Sequence, residues 1–179
     1  MKTLFSAILG SLVLCTALAQ TTKEDCFREA TNLYGSDNDL RKSDLDLIET
    51  LSKDHVLTKI EACSIQNGPV SSVQVTYGIW KKGKVKEEVG LTPFGVNSGS
   101  CNTLNVSEGD SIKSIEISYS SSGVSKLSFI TQLGDFKVTG TTGVSDLVKT
   151  FRLDNERSFY GLIGTGTTRI DSISIVIFD

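Results

Sequence analysis

Near the end of the chain runs Ile170-Asp171-Ser172-Ile173-Ser174-Ile175-Val176-Ile177. From Ile173 onward an apolar residue returns at every second position, the period of a strand with one buried face. Two other runs share the full pattern: apolar, any residue, Ser, apolar, any residue, apolar, any residue, then Tyr or apolar. They are Val70-Ser71-Ser72-Val73-Gln74-Val75-Thr76-Tyr77 and Ile112-Lys113-Ser114-Ile115-Glu116-Ile117-Ser118-Tyr119. Alternation recurs by chance in any β protein, but a Ser at the same place three times adds information. The pattern predicts three similar sheets, each burying one face against a common axis, since one such sheet has nothing of its own to pack on.

Working outward, alternating runs separated by Gly, Asn, Ser and Asp predict strands over 59–63, 70–77, 85–90, 103–106, 112–119, 124–133, 136–139, 148–153, 159–164 and 170–178. Short strands at this spacing mean an all-β sandwich, barrel or prism. Residues 20–54 read differently. A helix is expected over 25–34, with Phe27, Ala30, Leu33 and Tyr34 on one side, then a turn at 35–39. Ser43-Asp44-Leu45-Asp46 has the form of a capping box, and Leu47, Ile48 and Leu51 continue at helical spacing to Lys53. This is a short, acidic, α-helical N-terminal extension, either a clasp on the main domain of 55–179 or an assembly segment.

Residues 1–19 have the layout of a signal peptide: Met1-Lys2, an apolar run from Leu4 to Leu14, and Ala17-Leu18-Ala19 as the cleavage pattern. The run is shorter than the roughly 20 residues needed to cross a bilayer, and no later segment is apolar enough to do so. The expected product is secreted, extracellular or held in a secretory granule. Cutting after Ala19 leaves 160 of the 179 residues and a net charge of -4 in place of -3, because Lys2 is lost. Three cysteines then remain, an odd number for an oxidising compartment. Cys63 and Cys101 both lie in the strand-rich region and are the expected disulfide; Cys26 is then unpaired or intermolecular. Asn105-Val106-Ser107 is an N-glycosylation sequon.

Composition excludes more than it names. With 18 Lys+Arg against 21 Asp+Glu, the chain lacks the basic excess that phosphate backbones require, so no nucleic-acid partner is expected. A single His leaves little for metal or His-based catalysis. His55 is given no catalytic role, for no nucleophile motif surrounds it. Gly164-Thr165-Gly166-Thr167-Thr168 lacks the Lys and the following helix of a phosphate loop. Lys81-Lys82-Gly83-Lys84-Val85-Lys86 reads either as an anionic-glycan contact or as a solvated hairpin partly neutralised by Glu87-Glu88. Trp80 beside it reads as a sugar-stacking ring or a partly buried strand residue.

Residues 56–179 resemble the jacalin-related lectins. The resemblance rests on Ile112 to Tyr119 as quoted, and on Gly123-Val124-Ser125-Lys126-Leu127-Ser128-Phe129-Ile130-Thr131 with Leu133-Gly134. It rests also on Phe159-Tyr160-Gly161-Leu162-Ile163-Gly164-Thr165-Gly166-Thr167-Thr168-Arg169-Ile170-Asp171-Ser172-Ile173. It implies a β-prism of three four-stranded antiparallel sheets with pseudo-threefold symmetry. It also implies non-catalytic sugar binding at a G-x-x-x-D loop before the last strand, where the Asp accepts from sugar hydroxyls and loop amides donate. Here the Asp is Asp171; Thr167 stands at the Gly position, with Gly166 one residue earlier. The implied contacts are Gly166, Thr167, Thr168, Arg169 and Asp171, joined by Asn67 and Gly68 from a second loop, Gln66-Asn67-Gly68-Pro69. The other copies, ending at Ser71 and at Lys113 in Gly109-Asp110-Ser111-Ile112-Lys113, bring no carboxylate to that place. No metal or cofactor is needed, since a carboxylate and backbone groups satisfy sugar hydroxyls. The expected partners are glycans or glycoproteins. The alternative is a structural or assembly protein of a secreted matrix, coat or granule, self-associating through Cys26 or edge strands.

Overall fold

The computed structural model describes residues 28–31, 34–35, 41–66, 68–153 and 157–178. The expected signal segment 1–19, Cys26 and Asn67 lie outside the described residues. The elements, in chain order, are β1 (Arg28–Ala30), β2 (Tyr34–Gly35), β3 (Arg41–Ser43), α1 (Leu45–Ile48), β4 (Val56–Ser64), β5 (Val70–Lys81), β6 (Lys84–Gly90), β7 (Phe94–Gly95), β8 (Ser100–Asn105), β9 (Ile112–Ser120), β10 (Gly123–Thr131), β11 (Phe136–Gly140), β12 (Leu147–Arg152), β13 (Ser158–Thr165) and β14 (Ser172–Phe178).

They form three antiparallel sheets. One is ordered β6-β5-β4-β8 with β7 also on β5; the second is β11-β10-β9-β12; the third is β1-β14-β13-β3 with β2 also on β14. Each is centred on one hairpin: β4–β5, β9–β10 and β13–β14. The inward residues of these hairpins make one core, with Ile60, Val73, Val75, Ile115, Ile117, Leu127, Leu162, Ile173 and Ile175 all at most 2% exposed. This is the all-β prism expected from the three repeated runs, with a short helical element, α1, on its N-terminal side.

The threefold correspondence differs from the expected one in its second member. A Cβ on Gly95 would lie 2.0 Å from the Ser71 carbonyl oxygen, on Gly140 2.0 Å from that of Ser125, and on Gly35 2.1 Å from that of Asp171. The amides of Val96 and Thr141 donate to the Ser71 and Ser125 carbonyls at 3.0 and 3.1 Å. Ser71, Ser125 and Asp171 are thus the equivalent residues, on β5, β10 and the approach to β14. The run from Ile112 lies on β9, the hairpin neighbour of β10. Two antiparallel neighbours that bury the same face carry the same alternation, so apolar spacing could not separate them. The residues just before the equivalent trio meet near the axis: Ile170 N–H donates to Val70 C=O and Val124 N–H to Ile170 C=O, both at 3.0 Å.

The helix expected over 25–34 is corrected as well. Arg28–Ala30 is extended and pairs with β14, Arg28 opposite Phe178 and Ala30 opposite Val176. Tyr34–Gly35 pairs with Ile173 and Ser172. β3 in turn pairs with β13. A short isolated helix is marginal in water, whereas β13 and β14 offer unpaired ladder groups at the edges of their hairpin. Thr31 caps this arrangement: its hydroxyl accepts from Ile175 N–H at 2.9 Å, and Ser174 Oγ donates to its carbonyl at 2.6 Å. The capping box is also displaced. Asp44 is the N-cap residue of α1 and makes no side-chain cap, and the helix ends at Ile48, with Glu49 as its C-cap, rather than running to Lys53.

The expected disulfide is present. Cys63 and Cys101 face each other across β4 and β8 with Cα atoms 3.9 Å apart. Asn102 Nδ2 then donates to Val138 C=O at 2.9 Å, joining this sheet to β11 of the next.

Candidate functional site

Residues 166–171 form the turn of the β13–β14 hairpin, at the end of the prism where Val70, Val124 and Ile170 meet. Ile170 is fully buried and anchors the turn from below. Thr165 and Ser172, also fully buried, close the last rung through their hydroxyls at 2.8 Å. Asp171 N–H donates to Thr165 C=O at 2.9 Å. Above this base Thr167 and Thr168 are exposed, and Gly166, Arg169 and Asp171 are half-buried.

Gly166 fits its place for a steric reason. A Cβ there would lie 2.1 Å from the Arg169 carbonyl oxygen, a distance no side chain tolerates. The glycine of the turn therefore stands one residue before Thr167, and the loop closes with Thr at the position where the family pattern has Gly.

Arg169 Nε donates to Asp171 Oδ1 at 3.3 Å, with side-chain exposures of 42% and 14%. So exposed a pair contributes well under about 1 kcal/mol to stability. Its consequence is orientation: the guanidinium fixes one carboxylate oxygen and brings further N–H donors to the same spot. The amides of Ile170 and Asp171 are committed to Val70 and Thr165, so they are not the amides that meet a ligand. What the turn offers a polyol is one carboxylate, one guanidinium and two exposed hydroxyls. Among the described residues no group of three or more His, Cys, Asp or Glu side chains is placed to hold a metal ion.

The structure brings Gly166, Thr167, Thr168, Arg169 and Asp171 into one turn. Gly68 lies in the β4–β5 turn, where its N–H donates to Ile65 C=O at 2.8 Å and it folds back on that residue. Its segment meets the 166–171 turn through the backbone bond from Ile170 N–H to Val70 C=O. The glycine that does flank Asp171 is Gly35, held at φ 120° opposite Ser172. Gly123 adds a second close approach, its Cβ position 2.9 Å from Ile170 C=O. Sequence reasoning missed Gly35 because it fell within a stretch read as helix and turn. The aromatic–Gly pair Tyr34-Gly35, matching Phe94-Gly95 on β7, is the signal that would have found it.

The other singled-out groups lie elsewhere. Lys81 pairs with Glu87 at 2.9 Å across an exposed hairpin whose turn is Lys82-Gly83, both at positive φ. Trp80 is half-buried and its indole nitrogen is enclosed. His55 Nδ1 meets Ser52 Oγ at 2.8 Å. Asn105 ends β8 with its side chain exposed.

Three sheets of this order around one axis, with the hairpin turns gathered at one end, define a β-prism of the lectin type. The jacalin-like lectin domain profile matches residues 33–176, and the chain belongs to that family. The match begins before the expected domain start at 55 and takes in the β2 and β3 strands. Among solved structures, Malaysian banana lectin is similar with a TM-score of 0.62 at 14% identity, covering 85% of this chain and 99% of its own. A mannose-binding jacalin-related lectin from Ananas comosus gives 0.60 at 16%, covering 84% and 97%. Lamprey immune protein gives 0.64 at 17%, covering 85% of this chain and 44% of its own. No curated protein sequence matches the chain.

Proposed function

We propose that this protein is a secreted, non-catalytic lectin that binds a sugar at the 166–171 turn. The observation that carries the reading is the placement of Asp171. Its half-buried carboxylate is oriented by Arg169, on a turn whose backbone is packed against Gly35 and shaped by Gly166. A carboxylate accepting from two adjacent hydroxyls, beside donors that return bonds to the sugar oxygens, is sufficient chemistry without a metal. Membership of the jacalin-like lectin family supports carbohydrate as the ligand class. The signal-like segment 1–19 and the exposed Asn105 support secretion and glycosylation.

The test is a glycan array run with the wild type and Asp171→Ala. Binding by the wild type and its loss in the variant are expected. Equal binding by both proteins would remove the turn from the account.

A second reading, self-association, rests on β12. It is the outer strand of its sheet, and Leu147 and Val148 are 62% and 52% exposed on it. An outer strand with apolar side chains in solvent invites pairing with a second copy. Light scattering of the wild type against Val148→Lys decides it: a dimer that the substitution dissociates supports the reading, and a monomer in both rejects it.

A further inference from the structure

We propose that the end of the prism bearing the sugar turn docks on a zwitterionic lipid bilayer, so that the sugar bound there is the headgroup of a neutral glycolipid. The inference rests on the sugar reading above and adds the surface that presents the sugar. The described turns of this end carry little charge. Residues 64–69, 96–99 and 120–123 include no charged side chain, 141–146 include Asp146, and 166–171 include Arg169 and Asp171. All three are engaged: Asp146 by the Ser125 hydroxyl and the Gly143 amide, Arg169 and Asp171 by each other. The turns of the opposite end, 49–55, 82–83, 106–111 and 132–135, each carry at least one Lys, Asp or Glu. Taking a charge out of water costs far more than taking out a hydroxyl or an amide. Of the two ends, the one with the sugar turn is therefore suited to an apolar interface.

That end also holds apolar side chains out in solvent. Ile65, Val96 and Val144, on three different turns, are 48%, 51% and 111% exposed. The turns are contiguous. A Cβ on Gly99 would lie 2.9 Å from Ile65 Cα, so 96–99 rests on 64–69. A Cβ on Gly140 would lie 3.1 Å from Val70 Cγ2, which sets 141–146 beside the same corner. The Val70 carbonyl accepts the Ile170 amide and ties the sugar turn to them. A single exposed Val is ordinary on a soluble surface. Three on neighbouring turns that hold almost no charge, around a polar sugar turn, match the headgroup–acyl boundary, with apolar tips below and hydroxyls and amides at headgroup level. The opposite end exposes Leu133 and Phe136 too, but Asp135 stands between them and Asp110 binds the Leu133 amide.

Charge assigns the leaflet. The chain carries a net charge of -3. Residues 36–40 lie outside the described residues, but the positions that flank them, Gly35 and Arg41, pair with Ser172 and Thr165 at this end. Their sequence includes Asp37 and Asp39. An anionic leaflet attracts basic segments and repels acids. The surface that remains is a neutral glycolipid among zwitterionic lipids.

The test displays one oligosaccharide in two ways. The tightest binder of the glycan array is coupled to a dialkylglycerol anchor in phosphatidylcholine vesicles, and to agarose beads at the same surface density. Binding of the full chain to each is measured by sedimentation. Vesicles should bind at least about tenfold more tightly than beads, a difference of 1.4 kcal/mol. Pairing of copies through β12 raises avidity on both displays, so their ratio isolates the bilayer. Val144→Asp and Val96→Asp should each bring vesicle binding down to the level of the beads, with bead binding as in the wild type. Leu133→Asp, at the opposite end, should change neither. Equal binding to vesicles and beads, or a vesicle gain that survives both substitutions, overturns the bilayer and leaves the sugar reading standing. Wild type bound on neither display overturns the sugar reading, and this inference with it. Tighter binding to phosphatidylserine vesicles without the glycolipid overturns the assigned surface.

Discussion

Gly35 and Gly83 both hold positive φ, at 120° and 72°, but their surroundings differ. A Cβ on Gly83 would meet nothing within 4 Å, while on Gly35 it would lie 2.1 Å from Asp171 C=O. Gly83→Ala therefore costs only the left-handed backbone, about 1 kcal/mol. Gly35→Ala must in addition push the Asp171 backbone aside, and about 3 kcal/mol or more is expected. Denaturant midpoints of the two variants check this, with glycan binding measured alongside. Binding should fall with Gly35→Ala and stay with Gly83→Ala; equal losses of stability would show that Gly35 does not support Asp171. At this scale the candidate site was largely legible. Asp171 and its turn neighbours stand together in sequence, so no tertiary information was needed to group them. Gly35 lies more than a hundred positions away and became visible only through strand pairing. Arg169 was legible as a contact but not as the partner of Asp171, since the turn's closure depends on the collision that Gly166 avoids.

Among the elements, α1 is held by a buried acid, Asp44, whose hydrogen bonds among the described residues run to the backbone of Leu162. Asp44 is 1% exposed, donates its N–H to Leu162 C=O at 3.0 Å and accepts Leu162 N–H on Oδ2 at 3.2 Å. Burial raises its pKa to about 7 from 3.8, against the lowering effect of the Leu162 bond. The same burial and the nearby Asp44 charge raise Tyr77, whose hydroxyl donates to Tyr160 C=O. For a carboxyl raised in this way the folded chain holds a proton that the unfolded chain has released. The stabilising effect is complete below the unfolded value of 3.8 and is lost as pH rises to about 7. Asp44→Asn keeps an acceptor for Leu162 and removes the titration. Its stability relative to wild type should rise between about pH 4 and 7 and level off above. Chemical denaturation of both proteins across that range measures the difference, which other carboxylates do not affect; a flat difference would show that Asp44 is not buried as a neutral acid. The ten strands read from alternation all formed, because each is long enough to show a period of two. β1, β2, β3 and β7 are two or three residues long and show none. Their existence depends on edges of β5, β13 and β14 that the local sequence does not display.

The whole molecule sets how many sugars one chain can hold. Pseudo-threefold symmetry builds the same backbone three times, but Asp171 has serine at both equivalent positions, Ser71 and Ser125. Ser71 donates its hydroxyl to Ser98 C=O at 2.7 Å and brings no charge. Ser125 does have a carboxylate beside it, that of Asp146 from the β11–β12 loop. The Oδ2 of Asp146 already accepts both the Ser125 hydroxyl and the Gly143 amide. The Ser71 copy thus brings no carboxylate and the Ser125 copy holds its carboxylate on two internal donors, so the ligand is assigned to the Asp171 turn alone. Calorimetric titration with the best array sugar should give one site per chain, and Asp171→Ala should remove it entirely. A single shallow site built from a few bonds corresponds to a dissociation constant near the millimolar range, about -4 kcal/mol. Tight binding to multivalent glycans then requires several chains acting together, since linking sites raises avidity by about 10²–10⁴ without any new contact. The two readings of this protein meet here. If the chain stays monomeric, array binding should be weak and agree with the calorimetric constant. If β12 pairs copies, array binding should exceed that constant by orders of magnitude, and Val148→Lys should lower it while leaving the single-site affinity unchanged. Two or three sites per monomer would show that Asp146 or Ser71 opens to ligand, and that the symmetry of the fold carries over to its function.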